Sequence, residues 1–180
     1  LKVSRTKESG KLVIESVPPE EFFVNRSAKT IDDAYIVVHR TEMRVSDLVA
    51  MGYDFDQVSK LSGLDYEDTF TDVEKYERTS YSEDENEDIQ DPSMRLVAIS
   101  EAYMKIDVYG TGEAIMHRIL LGGASYELLD HEPWGYAPFA VFEIDPEPHA
   151  FYGRSIADLI MNDQDASTAM IRGLLDNIAL

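Results

Sequence analysis

The chain has 180 residues, 44% of them apolar, with no cysteine and a formal net charge of −19. That length and apolar share suit one domain of ordinary size, while the missing cysteines exclude disulfides, thiolate metal ligands and cysteine nucleophiles. The acidity excludes a surface that grips nucleic-acid phosphates or anionic lipid throughout, because both kinds of binding draw on clustered Lys and Arg.

In chain order, Leu1 to Glu8 shows no signal-peptide pattern of basic start, apolar run and small-residue cleavage site. No apolar run approaches the roughly 18 residues of a membrane span, so a soluble protein with no membrane partner is expected. Leu12 to Val17 reads as a strand, and Pro18 and Pro19 turn the chain into a short helical or extended piece at Glu20 to Phe23. Ala34 to Arg40 is a second strand, whose β-branched run predicts burial on both faces. Ser46 is placed as the cap of a short helix over 47–51 ended by Gly52, and Asp54 or Asp56 opens another that ends near Gly63. Such a pair has the spacing of a DNA-reading helix-turn-helix, but Asp56 to Ser62 offers phosphates one lysine, Lys60, and no arginine.

The charge is concentrated in the middle. Asp65, Glu67, Asp68, Asp72, Glu74, Glu77, Glu83, Asp84, Glu85, Glu87, Asp88 and Asp91 stand against Lys75 and Arg78 alone, about half of the acidic excess. Ser80 to Gln90 is self-repelling and short of apolar side chains, so 65–92 is expected to be an acidic loop or disordered segment.

Beyond it, 93–150 has the pattern of a β meander. Met94 to Asp107 alternates apolar and polar residues, Tyr109-Gly-Thr-Gly112 supplies a hairpin turn, and Ala114 to Leu121 returns. Gly122 and Gly123 turn again into a strand at Tyr126 to Leu129, and Phe139 to Ile144 predicts one more. The final segment, 151–180, reads as one long helix. Ser155 is its predicted cap, Asp158 completes a capping-box-like start, and Ile156, Leu159, Ile160, Ala166, Ala169, Met170, Leu174 and Ile178 form an apolar stripe. No Gly or Pro closes the helix and the first residue is Leu1, from which a truncated helix and a fragment of a longer protein are expected. The fold class expected is α+β, with antiparallel strands, short helices and one long C-terminal helix.

Chemical motifs are weak throughout. Asp107 to Gly112 has the phase of a calcium loop, but Tyr109 sits where an acid or amide is needed and Arg118 where the bidentate Glu belongs. Gly110-Thr-Gly112 lacks the third glycine of a dinucleotide fingerprint and joins strand to strand. His39, His117, His131 and His149 show no metal-ligand spacing. Carboxylates are so abundant that a pair such as Glu143 and Asp145, two apart on one strand face, is expected by chance and gives a carboxylate-dependent hydrolase no specific support. Neither catalytic, metal nor cofactor-binding residues are assigned on this basis, and no cofactor is expected. The residues themselves leave a hydrolase and an acidic binding module open.

A collinear series of landmarks adds to that reading. Residues 17–26 (VPPEEFFVNR), 27–35 (SAKTIDDAY), 38–41 (VHRT) and 46–53 (SDLVAMGY) resemble the portal proteins of tailed bacteriophages, in particular the P22-like group. Residues 91–95 (DPSMR), 101–107 (EAYMKID), 138–140 (PFA), 148–149 (PH), 153–159 (GRSIADL) and the run from Gln164 to Asn177 follow in the same order. The resemblance covers nearly everything from Val17 to Leu180 and thins through the acidic segment. One departure is Tyr109-Gly-Thr-Gly112, where relatives often carry an acid-rich turn.

The resemblance implies a structural, non-enzymatic subunit of the head-to-tail connector at a capsid vertex of the virion, assembled in the host cytoplasm. It implies a ring, usually a dodecamer, through which double-stranded DNA is packaged and ejected. The implied partners are further copies of the chain, the large terminase subunit of the packaging motor, the major capsid protein, head-tail adaptor proteins and DNA in transit. On this reading 1–64 is the first α+β part of the wing region, 93–150 its meander, and 151–180 the start of a helix toward the stem. Ile156, Leu159, Ile160, Met170 and Leu174 are then the candidate subunit-contact stripe. The chain contains no Gly-x-x-x-x-Gly-Lys-Ser/Thr phosphate loop, in keeping with ATP chemistry that belongs to the motor.

Overall fold

The computed structural model describes residues 1–5, 10–63 and 91–178. The expected acidic loop therefore lies outside the described residues except for Asp91 and Pro92. The architecture is α+β, as expected. A five-stranded antiparallel sheet has the order β3-β4-β5-β6-β7, formed by Phe22–Val24, Ile36–Arg44, Leu96–Ile106, Ile115–Gly122 and Glu127–Pro133. A separate antiparallel pair joins β1, Lys2–Arg5, to β2, Leu12–Glu15. Among the described residues the α-helices are α1, Val45–Ala50, α2, Phe55–Val58, and α3, Ile156–Ile178.

Strand β5 organises the core. Its odd-numbered residues Val97, Ile99, Glu101 and Tyr103 share one face, as the period of two requires. At one end of that face Val97 and Ile99 pack with Val45 and Leu48 of α1, Val58 of α2, Leu61 and Leu120. At the other, Tyr103 packs with Ala28, Ala34, Val37, Phe139 and Phe151. Glu101 lies buried between the two clusters, where its carboxylate meets Lys2 Nζ at 2.5 Å, Arg118 Nε at 2.6 Å and the Tyr103 hydroxyl at 2.8 Å. Arg118 also reaches Glu132 at 2.8 Å, so the charges buried here are paired rather than isolated.

Several local expectations are corrected. Ser46 does not cap α1: the helix starts two residues earlier, at Val45 behind Arg44, which makes no side-chain cap. The free N–H groups of its first turn are taken up from far along the chain, Val45 N donating to Arg95 O and Ser46 N to Ser93 O. Asp54 is the cap of α2, accepting from Gln57 N at 3.2 Å, but the helix ends at Val58 rather than near Gly63. Arg95 closes it by donating to the carbonyls of Ser59 and Leu61. Strand β4 runs on to Arg44, and only its Val37 and His39 are fully buried, so the expected burial on both faces does not hold. Leu48, Val58 and Leu61 bury one face of the helix pair against the sheet, where it covers the core.

Phe139 to Ile144 is not a strand. Only Phe139 forms a bridge, to Lys2, and Val3 N and Ala140 N donate to Pro138 O and Leu1 O. The edge of β1 thus takes up this segment over Pro138 to Ala140 only, and Val141, Phe142 and Ile144 stay exposed. The hairpin between β5 and β6 forms as read. Asp107 accepts from Thr111 N at 3.0 Å and from Gly112 N at 2.7 Å, and Gly112 adopts a φ of +82° that a side chain would strain. Those N–H groups hold the Asp107 carboxyl below its usual range, Gly112 foremost, and engage both its oxygens within the turn itself.

Candidate subunit-contact surface

The base of α3 is fixed by aromatic packing and two polar ties. Phe151 is buried and stacks on Phe22 at 6.0 Å between ring centroids, while Phe22 meets Phe139 edge-on at 5.2 Å. The Tyr152 hydroxyl donates to Phe22 O at 3.3 Å, and burial raises its pKa. Arg154 N donates to Asp145 O, and the Arg154 guanidinium grips both Glu147 oxygens at 2.9 and 3.1 Å. The same contact draws the Glu147 carboxyl below its ordinary range. Gly153 lies against the backbone of Asp145 so closely that a Cβ would collide with its carbonyl.

Helix α3 then begins as its sequence dictates. Ser155 Oγ accepts from Asp158 N at 3.1 Å and Asp158 Oδ2 accepts from Ser155 N at 3.0 Å, the reciprocal exchange of a capping box. Hydrogen bonds from the Ser155 hydroxyl and N–H lower the Asp158 pKa. The helix runs for 23 residues, about 35 Å, without one buried residue. Ile156, Leu159, Ile160, Met170 and Leu174 are between 48% and 73% exposed.

At 100° per residue these five side chains share one face, as the spacing predicts, yet the face is not continuous. Asp163 and Ser167 fall on it, so an apolar patch at Ile156 to Ile160 is separated by about 15 Å from another at Met170 to Ile178. The structure adds Ile171 and, at its flank, Leu175 to the second patch, and Met161 beside the first, all exposed. Ile171 and Leu175 stand four apart and were findable from the same periodicity. The base residues Glu147 and Phe151 were not, because their partners lie in β3 and in the loop before the helix. Beside this base, Val17, Phe22, Phe139, Phe142 and Phe151 line an open hollow of about 500 Å³.

Glu143 borders the apolar hollow while Asp145 does not, so the pair proposed for a hydrolase does not converge on one enclosed pocket. His117 and His131 stack at 4.6 Å, His39 lies 3.5 Å from Glu21, and His149 stands apart. Among the described residues no group of three or more His, Cys, Asp or Glu is placed to hold a metal ion, and no helix is long and apolar enough to cross a membrane.

Comparison with known proteins gives the arrangement its context. No curated protein matches the chain. A family model described as phage SU10 portal protein matches residues 1–180. The portal resemblance carried by the collinear landmarks is thereby borne out, including the segments on either side of the acidic stretch. With a match along its whole length, the chain belongs to the phage SU10 portal protein family, structural head-to-tail connectors of phage particles.

Proposed function

We propose that the chain supplies the wing region of a portal subunit, with 1–64 and 93–150 as its body and 151–180 as the first part of a helix toward the stem. Twelve such subunits form the ring through which double-stranded DNA is packaged and ejected. The large terminase subunit docks on that ring during packaging, and capsid and head-tail adaptor proteins hold it at the vertex. The carrying observation is α3: a 23-residue helix with no buried residue presents Ile156, Leu159, Ile160, Met170 and Leu174 to solvent. Exposed apolar area of that extent marks a protein contact, and in a cyclic ring such contacts run head to tail between neighbours. The charge of −19 fits a conduit as well, since strong attraction to phosphates would stall sliding DNA.

The test is negative-stain imaging and light scattering of the complete open reading frame that contains these residues. Rings with a central hole are expected, and Leu159→Asp combined with Leu174→Asp, both on exposed positions, should lower their yield. A protein that stays monomeric, with hydrolytic turnover abolished by Glu143→Gln or Asp145→Asn, overturns the reading in favour of an enzyme.

A further inference from the structure

Helix α3 has no buried residue, so its direction relative to the sheet is decided where it leaves the body. The segment that does this, Asp145 to Arg154, is a closed loop. Its ends pair as an isolated antiparallel bridge, with Arg154 N donating to Asp145 O at 2.9 Å. Pro146 and Pro148 fix the backbone on both sides of Glu147. Behind them Ala150 N donates to Glu147 O at 3.2 Å, and His149 holds a φ of +67°, a conformation that a residue with a Cβ adopts at a cost. A loop that keeps such a residue is held by its surroundings rather than slack.

Two contacts then set the angle at which the helix departs. Gly153 lies where a Cβ would run into the Asp145 carbonyl, so the two sides of the loop meet at a separation that only glycine permits. Its backbone is not left-handed, and the requirement is one of space alone. Arg154, next to the capping Ser155, holds both Glu147 oxygens in a fork, which fixes orientation as a single contact would not. The pair is exposed and adds little stability of its own, but the same constraint recurs in every copy of a ring.

A ring converts that angle into a number. Each subunit of a cyclic assembly is turned from the next by about 30° for twelve copies, about 33° for eleven and about 28° for thirteen. The body and α3 of each copy must both meet the neighbouring copy at that one turn. A change of about 3° between body and α3 is therefore enough to favour a different count. We propose that Gly153 and the Arg154–Glu147 clamp are positioning residues that select the copy number of the ring. They touch no neighbour to do so; they act by aiming the stripe of Ile156, Leu159, Ile160, Met170 and Leu174.

The inference rests on the ring reading, and its test separates the two. Rings of the complete open reading frame are counted by native mass spectrometry and by the symmetry of end-on negative-stain views. The native sequence is expected to give one copy number. Gly153→Ala, which pushes the loop apart without removing charge or apolar surface, is expected to displace that number by one or two subunits. Glu147→Ala, at an exposed side chain, is expected to spread the rings over at least two copy numbers, and exchange of the charges, Glu147→Arg with Arg154→Glu, to narrow them again. A merely structural role would lower yield or melting temperature and leave the count alone. Rings of unchanged number in both single variants, or a native protein that already forms several numbers, sink the inference and leave the ring reading standing. A spread that the exchanged pair does not narrow also sinks it, because the clamp is then not its source. Failure of the native protein to form rings removes both.

Discussion

At Glu101 a buried carboxylate governs how the two halves of the core meet. Burial alone would raise its pKa, but the Lys2 ammonium, together with Arg118, outweighs that and lowers it to about 2. The same cluster raises Tyr103, by burial first and the Glu101 charge second. Arg118 moves up as well, its burial being outweighed by Glu101 and Glu132. A carboxyl whose folded pKa lies below its unfolded value stabilises the fold above the unfolded value and ceases to do so as pH falls through the folded one. With 4.5 as the ordinary value, the window runs from about pH 5 down to about pH 2 and carries about 3 kcal/mol. Glu101→Gln should therefore destabilise by about 3 kcal/mol at pH 7, since it leaves Lys2 without its buried partner. Urea denaturation across that window measures this: the gap between the native sequence and Glu101→Gln should close as pH approaches 2. A gap independent of pH would mean that packing, not charge, holds Glu101.

Among the elements, α3 has the start most open to a direct test. Ser155→Ala removes the acceptor for Asp158 N–H and is expected to cost about 1 kcal/mol of helix stability. Because the helix has no buried residue to hold it otherwise, the loss should appear as faster amide exchange at Ile156 to Ile160 while β5 stays protected. This element was legible in the sequence because its signals are local: Ser155, Asp158 and the apolar period lie within one stretch. The hairpin at Asp107 to Gly112 was legible for the same reason. The beginning of α1 was not, since its N–H groups are satisfied by Ser93 and Arg95, some fifty residues away. Nor was the failure of Phe139 to Ile144 to form a strand, which depends on how much of it β1 meets. Strand β1 went unread altogether, and Glu101 gave only the faint signal of an acid within an apolar run, with nothing in its neighbourhood to name Lys2 as partner.

For the whole molecule the dominant quantity is net charge. Copies of −19 repel one another, and the repulsion reaches about 30 Å at 0.01 M salt but about 8 Å at 0.15 M. As that repulsion is screened, association of the 180-residue chain should rise across that salt series, read as light-scattering mass. A mass that falls steadily with salt would show that attractive ion pairs dominate. The way α3 is attached has a mechanical consequence of its own. Its base is pinned by Phe151, Gly153 and the Arg154–Glu147 clamp, while the remaining length of about 35 Å touches no other described element closely enough to be buried. The helix is therefore a lever with a short, stiff pivot. A rotation of about 10° at the pivot carries the far end by about 6 Å, roughly one helical turn. A sub-ångström displacement where Phe151 meets Phe22 and Phe139 is thus amplified into a movement large enough to be felt by whatever the tip engages.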